Sequence, residues 1–573
     1  MSLLNRFTEA SSAQSRLACR LLVIVLICFV VGFVLPLPRS GRAREVVQWS
    51  SKPSRNIVLE AKDLPARLGS DNLLWEVKRG RHHFASPVIA GSKLLVGGDT
   101  TWLADERLRA IGGRRHGGIA CLDLQTGQVL WELLTPPFAG DEHGVFGVCS
   151  TPVVEGDRVY GVGTRGNVLC LDLNGQADGN DGPFVDELAY MSTGGREALA
   201  ELKATDGDII WRYDILEHHP VLIHDAYAAT PLIQDGLLWV PTCHSIGSEP
   251  VRHLLPSDTE KDKKLFEKHH RLNTPHLLVL NKQTGELVAV GNTVVKQVFH
   301  GQWSSPCMGI VDDRPLVFWG DGYGVLHAYE PPNADSVPGE DVQVLKEVWW
   351  CDVNPREYRY DEEGELRPYP SGAYRFREGE FEGTHKEYLA KKNEGPCQII
   401  GTPVFHQDRI YVAIGRDVNE GRGPGRVICI DPRGTGDITD NGVVWASTDV
   451  GKSMLTPAVA NGLLYMGDTN GMFHCFDAAT GEKKWEHRVG RSIEYCSPLL
   501  ADGKVYVFDN NGRMGIFRHG AEKVVLFEDR TRHHESSSMT ATDGSLIVPD
   551  SRSITAYGKS GDPATGSGTA VEQ

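Results

Sequence analysis

Nine histidines stand in short stretches that each lead into a run of alternating apolar residues: His82, His83, His143, His218, His219, His224, His300, His533 and His534. Imidazole is a common metal ligand and an acid or base near neutral pH. If those stretches gather around one opening, His82, His143, His224, His300, His533 and His534 are candidate metal ligands. A second set recurs four residues before a proline-type position, as His83, Val148, Tyr227, Gln302, Ile399, Ser453, Glu494 and Ser537. His83, Tyr227, Gln302 and Glu494 in that set, with Trp303 alongside, are candidates for holding a small ligand. Solvated loop histidines around a water-filled channel would leave the same pattern. No catalytic residue is assigned, because the chain has no nucleotide-binding glycine loop, no G-x-S-x-G elbow and no H-E-x-x-H. The oxygen-rich stretches from Asp178 to Gly182 and from Asp431 to Gly442 lack the ligand spacing of a calcium loop and read as Asx-turns.

The elements that would carry these groups are clearest from Thr456 to Val489. Apolar residues alternate in Leu463 to Met466 and in Met472 to Phe476, and Asn461-Gly462, Asn470-Gly471 and Thr480-Gly481 punctuate them, which predicts four short antiparallel strands. Asp477, Thr480, Gly481 and Trp485 form D-x-x-T-G-x-x-x-W. The glycine supplies the positive φ of the turn, and the tryptophan offers a flat surface that one sheet cannot bury alone. Copies are therefore expected. Asp123, Thr126, Gly127 and Trp131 repeat the full motif, and Gly207 to Trp211 keeps the turn-to-tryptophan spacing. Asn281, Thr284 and Gly285 keep the turn but place Ala289 where the tryptophan would be, while Trp349 and Trp445 follow altered turns. The incoming strand carries a Ser/Thr-Pro pair at Ser86, Thr151, Thr230, Ser305, Thr402, Thr456 and Ser497, with Thr540-Ala541 as a degenerate eighth. Leu73 to Val77 is an outgoing strand with no blade before it, so it is expected to complete the eighth blade of a closed ring.

These Ser/Thr-Pro, L-D-x-x-T-G-x-x-x-W and N-G-x-x-x-x-x-D elements resemble the PQQ-like repeat of quinoprotein-type eight-bladed β-propellers, over about Asp71 to Gly558. The resemblance implies an all-β propeller of four-stranded antiparallel blades. It spans two occupations: pyrroloquinoline quinone (PQQ) dehydrogenases, and the outer-membrane-barrel assembly factor BamB. A dehydrogenase would need aromatics around the quinone, oxygen ligands for Ca2+ and a carboxylate base, and Trp303 and Glu494 alone do not make that set. The adjacent cysteines of quinoprotein alcohol dehydrogenases are missing too. The expectation is an interaction scaffold of the BamB kind with no cofactor and an envelope protein as partner. The alternative is a PQQ- and Ca2+-dependent enzyme, or a small-ligand sensor.

Residues 1–20 are basic, and Leu21 to Leu37 form the only long apolar run, read as an uncleaved signal anchor that leaves the propeller on the exported side. Residues 38–70 read as a linker, 71–558 as one monomeric propeller and 559–573 as a disordered tail. A net charge of −16 argues against a nucleic-acid partner. Of the 12 cysteines, Cys121, Cys170, Cys429 and Cys475 each precede a blade aspartate by two residues, so they are expected to be small core residues in separate sheets and not disulfide partners. Insertions such as 245–273 and 354–395 fall mostly in the loops that open on one face, here called upper; either that face receives a partner or ligand, or loops have accumulated there wherever packing permits.

Overall fold

The computed structural model describes residues 49–50, 52–78, 84–139, 146–219, 221, 223, 225–245, 274–291, 301–333, 342–360, 362–364, 396–417, 425–534 and 537–559. The apolar run 21–37, the tail 560–573 and His82, His83, His143, His224 and His300 lie outside them. Among the described residues no helix is long and apolar enough to cross a membrane.

Eight sheets, each with four antiparallel strands, follow one another along the chain, and three of them gain a fifth short strand that pairs parallel. Blade six is the plain form: Ala458–Ala460, Leu463–Gly467, Met472–Asp477 and Lys483–Arg488, paired in sequence order. Asn461 and Gly462 both take positive φ in its first hairpin, as an Asn-Gly turn requires. Blade eight is built from Thr540–Thr542, Ser545–Pro549 and Ser553–Gly558, and Leu73–Lys78 from the other end of the chain is its outer strand, with Trp75 opposite Ala556. The closure expected from the unpaired N-terminal strand is therefore present.

Two sets of hydrogen bonds join the blades, and each accounts for one half of the repeat. On the outside, the indole N–H of an outer-strand tryptophan donates to a carbonyl of the next blade: Trp75 to Leu124, Trp131 to Leu173, Trp211 to Lys282, Trp349 to Pro432, Trp445 to Ala478 and Trp485 to Gly520. The ring lies against a glycine there. A Cβ would stand 2.7 Å from Trp75 at Gly127, 2.5 Å from Trp211 at Gly285 and 2.5 Å from Trp445 at Gly481. In blade two the seat is divided: Gly175 takes the positive φ and a Cβ there would stand 2.7 Å from Trp131, while Gly207, at the spacing counted back from Trp211, would put a Cβ 3.4 Å from the same ring. The insertion runs between the two glycines. Asp123 and Asp477 shape the same turn by accepting the N–H groups of Thr126 (2.8 Å) and Thr480 (3.0 Å).

On the inside, hydroxyls link every neighbouring pair of blades. The Ser86 N–H donates to Thr151 Oγ1, Thr230 N–H to Ser305 Oγ, Thr402 N–H to Thr456 Oγ1, Thr456 N–H to Ser497 Oγ and Ser497 N–H to Ser538 Oγ. The remaining junctions are made one residue earlier, by Ser150 Oγ to Ala229 O, Ser304 Oγ to Gly401 O and Ser537 Oγ to Ala85 O. Ser538-Met539, not Thr540-Ala541, thus occupies the eighth Ser/Thr-Pro place. Thr540 already begins the inner strand, facing Ile547 as Leu499 faces Tyr506.

Residues 49–70 are not a free linker. Pro53 O and Ser54 O accept from the N–H groups of Met308 and Phe405, Asn56 bonds both the N–H and the O of Val459, and Val58–Leu59 pairs parallel with Leu500–Ala501. This strap satisfies the channel-facing edges of four consecutive inner strands, in blades four to seven, which would otherwise be unpaired. Arg55, fully buried, donates to Pro306 O (3.0 Å), Pro231 O (2.6 Å) and Trp49 O (3.3 Å). Blades three and seven carry Ala289 and Phe527 at the tryptophan place. The strap crosses both of those junctions, through Arg55 at the first and through Leu64 to Asp502 and Lys62 to Asp543 at the second.

Candidate functional site

The loops leading into the inner strands converge on a cup at the upper end of the channel, with about 240 Å3 of room for water-sized groups. Each of the eight blades contributes at least one lining residue, and Trp49 of the strap is another. The lining follows the alternation of extended chain. The Ser/Thr of each pair faces in, and so does the residue two before it: Phe84, Cys149, Ala228, Trp303, Ile400, Met454 and Tyr495.

The ring expected four residues before the proline is therefore one position out of register for most of its members. Val148, Tyr227, Gln302, Ile399 and Ser453 are buried and are not part of the lining. Tyr227 packs among Val162, Ile223 and Leu238, and burial raises its hydroxyl pKa well above the ordinary value. Gln302 donates to His244 O (2.7 Å) and contacts His276 Nδ1 (2.8 Å) inside the wall. Ser537 is spent on the junction with blade one. Of the ligand candidates, Trp303 and Glu494 do line the cup, and His83 lies outside the described residues. His533 is buried in blade eight, its Nδ1 on Asp550 and its Nε2 2.9 Å from the Tyr557 hydroxyl, so both ring nitrogens have partners away from the opening. His534 is half-buried, and its carbonyl accepts the Ser551 N–H. No group of three or more His, Cys, Asp or Glu side chains converges on one point among the described residues.

Sequence reasoning missed Phe84, Phe146, Tyr495, Asp225 and Asp417, all lining the cup. Counting two residues back from each Ser/Thr, with strand alternation in mind, would have found Phe84 and Tyr495. Phe84 stands edge-on to Phe146 (centroids 5.5 Å apart) and to Tyr495 (4.9 Å), tying the loops of blades one, two and seven together. Asp225, Asp417 and Glu494 come from blades three, five and seven, and Glu494 accepts a hydrogen bond from the Ser492 hydroxyl. Cys149, also on the lining, is no nucleophile at neutral pH, because burial pushes its thiol pKa far up.

The four repeat cysteines have the place expected of them. Cys121, Cys170, Cys429 and Cys475 are buried, unpaired as disulfides and opposite Trp131, Trp211, Trp445 and Trp485. Burial raises their thiols to about 12, 12, 11 and 12.

A PQQ-like family model described as outer membrane protein assembly factor BamB matches residues 69–213 and 391–487. Similar solved structures include BamB from Moraxella catarrhalis, at 14% identity, 82% coverage of each chain and a TM-score of 0.34. Another is the quinohemoprotein alcohol dehydrogenase from Comamonas testosteroni, at 11% identity, covering 94% of this chain and 83% of the other with a TM-score of 0.42. No curated protein matches the chain.

Proposed function

We propose, from the premise that the blades are PQQ-like repeats matched by the BamB family model, that this chain is a non-enzymatic interaction scaffold of the cell envelope. In this reading the N-terminal segment holds it to a membrane, the propeller is monomeric on the exported side, and a protein partner is received at the upper cup. The support is the cup itself: a recess lined from all eight blades and backed by the chain's own Trp49, on a ring whose every junction is hydrogen-bonded. Such a recess is preformed, so a partner binds without first ordering it.

The dehydrogenase alternative would draw on the same lining, with Trp303 and Phe84 as rings for the quinone and Asp225, Asp417 and Glu494 as oxygen donors. These carboxylates come from blades three, five and seven, and among the described residues no group of three or more His, Cys, Asp or Glu converges on one point, so we keep it as the second reading.

Two measurements on the full-length chain separate these readings. Affinity capture from solubilised envelopes should enrich a defined protein, and Trp303→Ala with Phe84→Ala should abolish that enrichment while leaving the melting temperature within a few degrees. Addition of PQQ and Ca2+ should leave quinone absorbance and melting temperature unchanged. Retention of the same captured protein by the double variant, or a quinone-dependent rise in melting temperature, overturns the scaffold reading.

A further inference from the structure

A second recess lies outside the cup, where the loop leaving blade six meets blade seven, and we infer that it binds a phosphate group. It does not rest on the scaffold reading. The recess has about 570 Å3 of room for water-sized groups, and four of the residues lining it are arginines. Arg488 ends the outer strand of blade six and Arg491 follows in the loop, while Arg513 begins the third strand of blade seven and Arg530 ends its outer strand. All four are exposed. Among the described residues the guanidiniums of Arg491 and Arg530 have no hydrogen bond or ion pair. Arg488 donates to two carbonyls, Asn470 O (2.9 Å) and Gly490 O (3.4 Å). Arg513 has Glu528 at 3.9 Å, a carboxylate that also holds His487 at 2.9 Å.

The turn beneath does not require these arginines. Asp509, buried at the floor, accepts the main-chain N–H groups of Arg491 (3.1 Å), Asn511 (2.9 Å) and Arg513 (2.7 Å). Blade six builds the same turn on Asp468, which accepts from Gly451 (2.8 Å), Asn470 (2.9 Å) and Met472 (3.1 Å). Glycine and methionine therefore serve where blade seven has Arg491 and Arg513. The cross-strand pair differs as well: Met472 stands opposite Arg488, whereas Arg513 stands opposite Arg530. Like charges directly opposite destabilise a sheet, and an anion between them removes that repulsion.

The four guanidiniums come from two blades and three elements. A planar carboxylate meets one guanidinium fork edge to edge, whereas a phosphate carries up to two charges and offers three acceptor oxygens to donors from several sides. An extended polyanion is disfavoured, because a chain of net charge −16 repels whatever of it reaches beyond the recess. The ligand is thus compact, a soluble phosphate compound or the phosphate of a lipid headgroup.

The test is isothermal titration calorimetry of full-length protein in neutral detergent with inorganic pyrophosphate. It should bind at one site and weaken as salt rises. Arg491→Gln and Arg513→Gln should each weaken it about tenfold, the loss of one hydrogen bond to a charged group. Arg518→Gln, the same charge change at the other end of the same strand, should leave it unaltered. Without ligand, Arg513→Gln should melt no lower than the native chain, since it removes a like-charge pair. Displacement of pyrophosphate by phosphatidic acid added to the detergent supports a lipid headgroup as the source, and indifference to it supports a soluble compound. Absence of saturable binding, an equal loss in Arg518→Gln, or a lower unliganded melting temperature of Arg513→Gln overturns the inference. Tighter binding of a capped tetraglutamate peptide than of pyrophosphate also overturns it, in favour of an acidic protein segment.

Discussion

Trp445 lies on Gly481 of the next blade, so closely that a Cβ at 481 would stand 2.5 Å from its ring, while its indole N–H donates to Ala478 O at 2.9 Å. The threonine-glycine turn of the repeat is therefore a seat for the neighbouring tryptophan as well as a hairpin. Gly481 also has φ of 73°. Gly481→Ala adds left-handed strain of ~1 kcal/mol to an overpacked contact of ~1–3 kcal/mol, so it should lower stability by about 2–4 kcal/mol. Gly462→Ala, at φ of 76° with nothing within 4 Å of the new Cβ, should lose only the ~1 kcal/mol of strain. Urea midpoints of the two variants check this. Equal losses would mean that the seat contributes nothing.

His327 gives blade four a pH dependence. Burial alone would lower its pKa, but the side chains of Asp321 (3.2 Å from Nε2) and Glu347 (2.6 Å from Nδ1) outweigh burial and raise it to about 9. A folded-state pKa above the unfolded value near 6.5 contributes stability that is complete below that value and is lost as pH climbs through about 9. Thermal midpoints of the native chain should fall across that window. In His327→Gln the fall should be shallower, whereas an identical pH profile would show that the histidine is not charged in the fold.

Arg55 is the rivet of the N-terminal strap. Burial lowers its pKa to about 10, which still leaves it charged at neutral pH. Arg55→Met removes its hydrogen bonds to Pro231 O and Pro306 O and strands two carbonyls, at a loss of ~1–3 kcal/mol each. Hydrogen exchange should quicken at the amides of Met308, Phe405 and Leu500, which bond the strap, and not at Ser86, which bonds Thr151. Uniform quickening would mean global destabilisation without a distinct role for the strap.

The ten described cysteines are all free and buried. None of these ten should react with a thiol reagent such as DTNB in the native protein, and all should react after unfolding. Reductant should leave the melting temperature unchanged. A fall of several degrees on reduction would reveal a disulfide this fold does not contain.

How much of this was legible follows from what repeats. Period-two alternation and the Trp131 and Trp485 motifs gave eight blades and their closure by Leu73–Lys78, because both signals come from local strand and turn chemistry. The same logic failed where a local signal was diluted. Residues 49–70 show no period because each residue of the strap meets a different blade, so their burial leaves no repeat in the sequence. Most of the ring was assigned one residue out of phase, which in extended chain exchanges wall for lining, so buried Gln302 was named beside Trp303, which does line the cup, and Tyr227 was named where Ala228 faces in. His533 looked like a mouth ligand because its buried partners, Asp550 and Tyr557, lie 17 and 24 residues further along the chain.

The most direct measurement is site-specific photo-crosslinking in intact cells, with a benzophenone amino acid in place of Trp303 at the cup or of exposed Val525 on blade seven's outer strand. The account predicts one dominant protein adduct from position 303 and none of that adduct from position 525. Adducts of equal yield from both positions, or a small quinone recovered at position 303 in place of a protein, would contradict it.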